Sequence, residues 1–423
     1  MARTSKKRVA VIGLGFVGLT TALGFAHKGC EVFGFDLDAH RTRQLKTGRL
    51  PFHEPHLDKA LARHLGRRFH LCASLAEAVR QADIIFYCVG TPSRASGAVD
   101  VTYLARAVKS TLAEVRSGGF KTLVIKSTLP PGSTQKHIQP LFKRAGLKIG
   151  QDIGLANNPE FLREGLAWED FTNPDRIVVG ANDPASFAPL AELYAGFSAE
   201  VFHVSLNAAE FVKSSSNALL ATLVSFANEV SMIADRVGDI DLKQAFQILH
   251  ADRRWNGSPA KMSSYAFPGC GYGGYCLPKD IAALRCTAEA AGIQPQLLDG
   301  VIAANQAIKE HFVGKIVAAT KRDTPIGILG LSFKSGSDDV RESTAADIVE
   351  LLLKRGRRRL IAYDPMAMET YQKTYRHPIK YARDIKELAG RVEVFAVLTA
   401  WPEFKQQHDL LSGKPVFDGR YCL

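Results

Sequence analysis

Residues 8–36 read RVAVIGLGFVGLTTALGFAHKGCEVFGFD, and this stretch decides the fold. Arg8 to Leu14 is a continuous apolar run, the pattern of a strand buried on both faces. Gly13, Gly15 and Gly18, with Phe16 and Val17 between them, give the spacing GxGxxG. LTTALGFAHKG then reads as a helix, and CEVFGFD as a second strand that ends on Asp36. Strand, glycine turn, helix, strand and terminal acid together form the dinucleotide-binding fingerprint. The glycines allow a tight turn and let backbone approach a pyrophosphate at the helix N-terminus. Asp36 is placed for the adenosine ribose hydroxyls, and its charge repels a 2′-phosphate. The cofactor expected is therefore NAD rather than NADP, with Arg41 nearby as the one opposing feature.

The α/β alternation continues from there. DIIFYCVGTP (83–92) is a buried strand ending in Gly90 and Thr91, and a helix follows. KTLVIKST (121–128) is a strand ending in Ser127 and Thr128, and PPGST opens another helix. Ligands in such sheets bind at the carboxyl ends of strands, so these four residues fall where a cofactor or substrate lies. Singly, each is equally a loop residue satisfying local backbone. IGLANNPEFLREG (153–165) brings Glu160 and Glu164 to the same edge. Burial of Glu160, between Pro159 and Phe161, is expected to raise its pKa towards that of a useful base.

Residues 206–238 read as one long helix, apolar on most sides of its middle, as suits burial between domains or in a dimer. Lys213 and Asn217 lie four apart and share a face. After a second helix and an irregular stretch comes PGCGYGGYCLPKD (268–280). Its glycines hold no helix or strand by themselves; they let backbone approach a ligand. Cys276 precedes a helical pattern, so it is expected at a helix N-terminus beside Lys279, where a thiolate is favoured. The alternative is a structural cysteine in a tight turn. PIGILGLSFK (325–334) begins a second α/β unit that lacks the full glycine fingerprint. Lys334 and Arg341 flank SGSDDV at its first strand's end, a place to grip phosphate.

Composition is that of an ordinary globular protein, 46% hydrophobic and 23% charged. No apolar run reaches the ~18 residues of a membrane span. The seven cysteines are scattered, with no CxxC pair and no metal-ligand spacing, which fits reduced thiols in the cytoplasm and no metal. A net charge of +12 favours anionic partners. The densest basic run, Lys354 to Arg359, is read as a solvated helix C-terminus. A nucleic-acid-binding scaffold is disfavoured, because no recognition motif or aromatic-interleaved basic stripe is present. A simple two-electron hydroxyacid dehydrogenase needs neither the cysteine loop nor the second α/β unit.

GLGFVGL, VGTP, KST, NPEFLREG, AAEFVKSSSN, GYGGYCLPKD, GLSFKSGSDDVRES and the terminal FDGR occur in that order between Val9 and Arg420. In this combination the chain resembles the UDP-glucose/GDP-mannose 6-dehydrogenase family, nucleotide-sugar dehydrogenases that oxidise a sugar alcohol to a uronic acid. The resemblance implies an α/β fold with two Rossmann-like doubly wound domains joined by a long central helix and a small helical domain. The implied parts are an NAD-binding domain (1–205), a central helical domain that forms a homodimer and carries the cysteine loop (206–320), and a nucleotide-sugar domain (321–423). It implies a four-electron oxidation through a thiohemiacetal and a thioester on Cys276. Glu160 serves hydrolysis, Lys213 and Asn217 stand at the reacting carbon, and Asp280 and Thr128 complete the cluster. Glu164, Lys279 and Arg341 touch the cofactor. Substrate is held by Phe161, Leu162, Arg163 and Glu164, by Gly269, Tyr272 and Gly273, and by Lys334.

The stretch DRRWNGSP (252–259) departs from the UDP-glucose pattern, leaving open whether Arg253 or Arg254 reaches a neighbouring subunit. Its NGSP resembles the GDP-mannose branch, whereas Tyr275 within GYGGYCLPKD favours UDP-glucose. UDP-glucose is the first expectation; GDP-mannose and a UDP-N-acetylhexosamine are the alternatives. Cys270 is read as structural.

Overall fold

A computed structural model describes residues 7–115, 119–252, 267–290 and 294–423. The chain divides into two compact units, Met1–Ser215 and Ser216–Leu423. The first is built on strands β1 (Arg8–Ile12), β2 (Glu31–Phe35), β3 (Phe69–Leu71), β4 (Ile84–Tyr87), β5 (Thr122–Ile125), β6 (Gly154–Asn157), β7 (Ile177–Gly180) and β8 (Val201–Val204). Their order in the sheet is β3-β2-β1-β4-β5-β6-β7-β8, parallel except where β7 runs against β6. The first six follow the order of a dinucleotide-binding sheet. Helices α1 (Phe16–His27), α2 (Ala39–Lys46), α3 (Leu57–His64), α4 (Leu75–Gln81), α5 (Thr102–Val115), α6 (Gln139–Arg144), α7 (Ala167–Thr172) and α8 (Pro184–Tyr194) connect them. Two apolar clusters form the core, one containing Val9, Val11 and Phe25, the other Ala10, Ile12 and Leu123. Alternate β1 residues thus enter opposite clusters, as period-2 side chains must when both faces are covered.

The long helix α9 (Leu206–Val237) follows, with α10 (Leu242–His250), α11 (Leu277–Ala290) and α12 (Gln296–Ala319). The second unit's sheet holds β9 (Ile326–Leu329), β10 (Leu360–Tyr363), β11 (Lys380–Tyr381), β12 (Val394–Val397) and β13 (Val416–Asp418), ordered β11-β10-β9-β12-β13 and all parallel. Helix α13 (Thr344–Lys354) leads from β9 to β10. This is the expected second doubly wound half. One expectation needs correcting: the basic run after α13 is not uniformly solvated. Arg357 is buried and donates to the carbonyls of Val317 and Thr320, 2.8 Å each. The last carbonyls of a helix have no partner within it, and a guanidinium supplies one.

The two halves begin alike. Gly13 and Gly330 both have φ near +90°, which a side chain resists, and each donates its N–H to the second strand (2.8 Å to Phe35, 2.9 Å to Tyr363). Each second strand is followed by an aspartate that accepts from the residue after that glycine: Leu14 to Asp36 at 2.6 Å, Leu331 to Asp364 at 2.7 Å. There the likeness stops. Asp364 has no exposed surface and also accepts from Ser332, Met366, Ala367 and the Trp401 indole. Its oxygens are consumed by the protein, so Asp364 offers no acceptor to a ribose. Asp364→Ala would strand those donors in a dry interior. With ~1.5–3 kcal/mol for each bond to a charged group, a loss of at least ~3 kcal/mol is expected, and less for Asp364→Asn. Denaturant unfolding checks this; a cost below ~1 kcal/mol for both variants contradicts it.

Candidate active site

The glycine turn has the shape the sequence implies. A Cβ on Gly18 would lie 1.7 Å from the Gly13 carbonyl oxygen, so α1 packs against the turn only because residue 18 is glycine. Gly15 precedes Phe16 at the start of α1 and has nothing within 4 Å of its Cβ position. That open helix N-terminus fits a pyrophosphate. Phe16 packs against Phe52, ring centroids 5.6 Å apart. Asp36 accepts from Leu14 and, through its other oxygen, from Asp38 at 2.8 Å. Arg41 also donates to it, 2.8 Å away. A carboxylate has about four lone-pair sites, so acceptor capacity remains for a hydroxyl.

At the neighbouring strand ends, Ser127 donates to Val89 O (2.7 Å) and Thr91 to Thr128 O (3.1 Å). These hydroxyls tie the β4 and β5 loops together, while Gly90 is open. Thr128 and Ser127 line a small cavity with Asn157, Pro159, Glu210 and Lys213. Lys213 and Glu160 are brought together as a buried ion pair, 3.0 Å apart. Leu162 N–H donates to Glu160 at 2.6 Å, and the Phe161 ring is approached by the Arg176 guanidinium (4.2 Å) and the Lys213 ammonium (5.5 Å). Arg163 spends its guanidinium on Asp170, 2.6 Å away, while Glu164, two residues beyond Leu162, is half-buried.

The expectation for Glu160 is overturned in direction. Burial alone pushes its carboxyl up, but the Lys213 charge and hydrogen bond, the Leu162 N–H and the Lys126 charge hold it below its usual value. Glu160 is thus ionised and paired. Lys126, buried and bonded to Asn158 Oδ1 at 3.0 Å, has its own pKa lowered, chiefly by burial. Glu210 was not foreseen. Its buried carboxylate accepts from Gly132 N (2.6 Å), Thr134 N (2.8 Å) and Thr134 Oγ1 (2.6 Å). The signal was its place three residues before Lys213, on the same helix face.

In the second unit Cys276 immediately precedes α11, is exposed, and its carbonyl accepts from Asp280 N–H at 2.8 Å. The expected helix N-terminal placement is present. Asp280 is buried, pairs with Lys279 at 2.6 Å, and accepts from the Asn217 amide. Lys279, expected at the cofactor, is itself buried in that pair. The Arg341 guanidinium lies 4.5 Å from the Tyr275 ring centroid and pairs with Asp339, and the Lys334 ammonium lies 5.4 Å from the Phe333 ring. Gly269 and Gly273 are pressed against the Gly419 and Glu342 carbonyls. Tyr272 turns its ring into an apolar cluster with Ala218, Ala221, Ile281 and Val301, and burial pushes its hydroxyl up to about 12. Cys270 is fully buried, as expected of a structural cysteine. Asn228, Asn305 and Arg420, which bind the loop's backbone, were missed; nothing local in a helix or a C-terminal tail marks such partners. Arg253 and Arg254 lie outside the described residues.

Three domain profiles of one family match the chain: the NAD binding domain of the UDP-glucose/GDP-mannose dehydrogenase family at residues 7–198, its central domain at 207–307 and its UDP binding domain at 327–423. The chain belongs to the UDP-glucose/GDP-mannose dehydrogenase family. It is an NAD-dependent oxidoreductase of that family, with a domain for the nucleotide sugar. A UDP-glucose 6-dehydrogenase of Bacillus subtilis, TuaD, is 35% identical over 98% of this chain and 89% of its own length. A UDP-glucose dehydrogenase structure from the archaeon Pyrobaculum islandicum matches with TM-score 0.91 and 36% identity, covering 100% of this chain and 96% of that one. A UDP-D-ManNAc dehydrogenase from Pyrococcus horikoshii matches with TM-score 0.84 and 26% identity, covering 98% and 96%. In this family member NAD fits the open glycine turn and Asp36. Among the described residues no helix is long and apolar enough to cross a membrane.

Two predictions follow from the geometry. In Lys213→Met, Glu160 is left buried without its ion-pair partner, a loss of about 3–5 kcal/mol at pH 7. In the parent, the depressed Glu160 contributes stability above its ordinary pKa, and that contribution is lost as pH falls through the folded-state value. In the variant, burial raises the pKa, so protonation relieves the penalty on acidification. The gap between parent and variant should narrow from pH 7 to pH 5; a constant gap in thermal or denaturant unfolding contradicts it. Asp36→Ala should release Arg41 from its carboxylate and narrow the preference for NAD over NADP in initial-rate measurements. A parent that works better with NADP contradicts that reading of Asp36.

Proposed function

We propose that the chain oxidises UDP-glucose to UDP-glucuronate through a covalent stage on Cys276. The observation that carries this is an exposed cysteine at the N-terminus of α11, directly after a glycine loop bound from outside itself. A helix N-terminus stabilises a thiolate, the form that attacks carbon. UDP-glucose is favoured by the names of the relatives above, and the UDP-D-ManNAc enzyme keeps a UDP-N-acetylhexosamine as the second reading. GDP-mannose, the other alternative, is supported by the NGSP resemblance and by a GDP-mannose dehydrogenase structure 29% identical to this chain.

NAD, when bound at Gly13–Gly18 and Asp36, supplies the hydride acceptor for both oxidations. In the first oxidation the sugar hydroxyl gives its proton to a base or to solvent as its carbon gives up hydride, and Cys276 acts on the resulting aldehyde. The Cys276 sulfur adds to its carbon, a C–S bond forms, and the carbonyl electron pair moves to oxygen. The Lys213 ammonium and the Asn217 amide are donors suited to that oxyanion. The second oxidation leaves a thioester. Water then adds to the thioester carbonyl, the C–S bond breaks, and the carboxylate product leaves with the thiol restored. Ionised Glu160 takes the water's proton, and the resemblance gives Thr128 and Asp280 ordering roles in the same chemistry. Glu164, Arg341 and Lys279 serve the cofactor side. Phe161, Leu162, Arg163, Lys334 and the loop through Gly269, Tyr272 and Gly273 serve the sugar nucleotide.

The functional divisions we assign are 1–205 for NAD, 206–320 for dimerisation and the cysteine loop, and 321–423 for the nucleotide sugar. A homodimer through α9 is supported by Phe211, Leu219 and Phe226, each more than half exposed and spaced seven or eight residues apart on that helix. Seven scattered cysteines with no CxxC pair support a reducing, cytoplasmic location.

Two NADH should form per sugar acid, and Cys276→Ala should make no acid. A panel of UDP- and GDP-sugars identifies the substrate. General base catalysis contributes on the order of 10²–10⁴-fold, or roughly 3–5 kcal/mol of barrier. Glu160→Gln should therefore give a burst of NADH and then stall, with the adduct on Cys276 visible by intact-protein mass spectrometry. One NADH per acid would falsify the covalent route. Normal turnover by Glu160→Gln removes Glu160 as the hydrolytic base, and Glu164 is then tested in its place.

A further inference from the structure

Loop 269–274 is shaped from outside. Gly269 N–H donates to Asn228 Oδ1 at 2.7 Å, Cys270 N–H to the Gly419 carbonyl at 2.8 Å, and Gly274 N–H to the Glu342 carbonyl at 2.9 Å. The Gly271 carbonyl accepts from Arg420 Nη1 at 3.1 Å. At the centre stands Asn305 of α12. Its Oδ1 accepts from Tyr272 N–H at 2.8 Å, and its Nδ2 donates to the Tyr272 carbonyl at 3.0 Å. One side-chain amide thus takes both polar groups of one backbone residue, as a neighbouring strand does. Asn305 is 7% exposed, so water does not replace it cheaply.

The neighbours of this contact are fitted to it. Gly271 has φ +101°, and a Cβ there would lie 2.7 Å from Asn305 Oδ1. Val301, one turn earlier on α12, packs with the Tyr272 ring, and so does Ile281 of α11. Tyr272 is held by backbone and ring together, four residues before Cys276.

We propose that Asn305 is a positioning residue: its two hydrogen bonds to Tyr272 set the loop conformation that presents Cys276 for attack. This rests on the reading of Cys276 as the nucleophile. Asn305 acts through Tyr272, the residue its amide holds. Misplacing a reacting group by about 1 Å is enough to cost as much as ~10²-fold.

The test compares Asn305→Asp, which sets a carboxylate oxygen against the Tyr272 carbonyl, with Asn305→Ser, which is smaller and uncharged. If the aspartate variant does not fold, the serine variant carries the test. Two readouts are taken. The first is kcat/KM for UDP-glucose beside the dissociation constant for NAD. The second is the iodoacetamide alkylation rate of Cys276, followed by peptide mass spectrometry with Cys286 as internal control. Expected is a fall in kcat/KM of about tenfold or more, NAD affinity within about twofold of the parent, and an alkylation rate changed about threefold at Cys276 alone. Parent-like alkylation and kcat/KM overturn the proposal. So does a parallel loss of NAD affinity and kcat/KM, which is what general loosening produces. Alkylation needs neither sugar nor NAD. A failure of the substrate reading therefore shows in the parent as no NADH from UDP-glucose, while the alkylation effect of Asn305 persists.

Discussion

Lys213 and Glu160 put a positive and a negative charge into a region almost without solvent. Either alone would cost several kcal/mol there, and together they are tolerable only with good geometry and further hydrogen bonds. The surroundings supply both. Leu162 N–H completes the Glu160 carboxylate, and Asn158 occupies the nearby Lys126 ammonium. Three residues before each partner stands a buried anchor: Asn157 before Glu160, Glu210 before Lys213. Thr134 Oγ1 lies within hydrogen-bond distance of both anchors, and Asn157 Nδ2 donates to the Leu206 carbonyl at 3.1 Å. The end of β6, the loop after β5 and the start of α9 are therefore locked in one register. That register is what allows the ion pair to exist.

The pair also changes what Glu160 brings to the chemistry. A carboxyl raised by burial would be a strong base present in only part of the molecules at neutral pH. A carboxylate held below its usual range by Lys213 is ionised at neutral pH but is a weaker base, so the base role proposed for it depends on how Lys213 is engaged. The lysine is the counter-ion of the resting site, and the oxyanion role proposed for it would draw on the same ammonium.

The two Rossmann-like halves show how one local design is turned to two ends. Both place a positive-φ glycine after the first strand and an aspartate after the second. Around Asp36 the turn is open and the carboxylate keeps acceptor capacity. Around Asp364 the indole of Trp401 and the hydroxyl of Ser332 close over it. The same carboxylate keeps spare acceptor capacity in one half and is a structural knot in the other, and Ser332 of its own turn with Trp401 from beyond β12 makes the difference.

The sequence by itself determined the alternation of strands and helices, the glycine turn, Asp36 at its strand end, and Cys276 before α11. These are local: each is set by spacing within some twenty residues, where periodicity, glycine and capping act. Short elements such as β3, α4 and β11 carry too few residues to show a period and were not anticipated. The family motifs named Glu160, Lys213, Asn217 and Asp280 together, but not who pairs with whom. Tertiary structure alone decided that Lys213 holds Glu160 down, that Asp280 takes Lys279 and Asn217, and that Asn305 shapes the cysteine loop. Asn305 is 33 residues from Tyr272, and Glu210 is 76 from Thr134. The physical reason is one of range. Burial and pairing depend on what the fold brings alongside a residue, and a charge or an amide carries no mark in the sequence of which distant backbone it will meet.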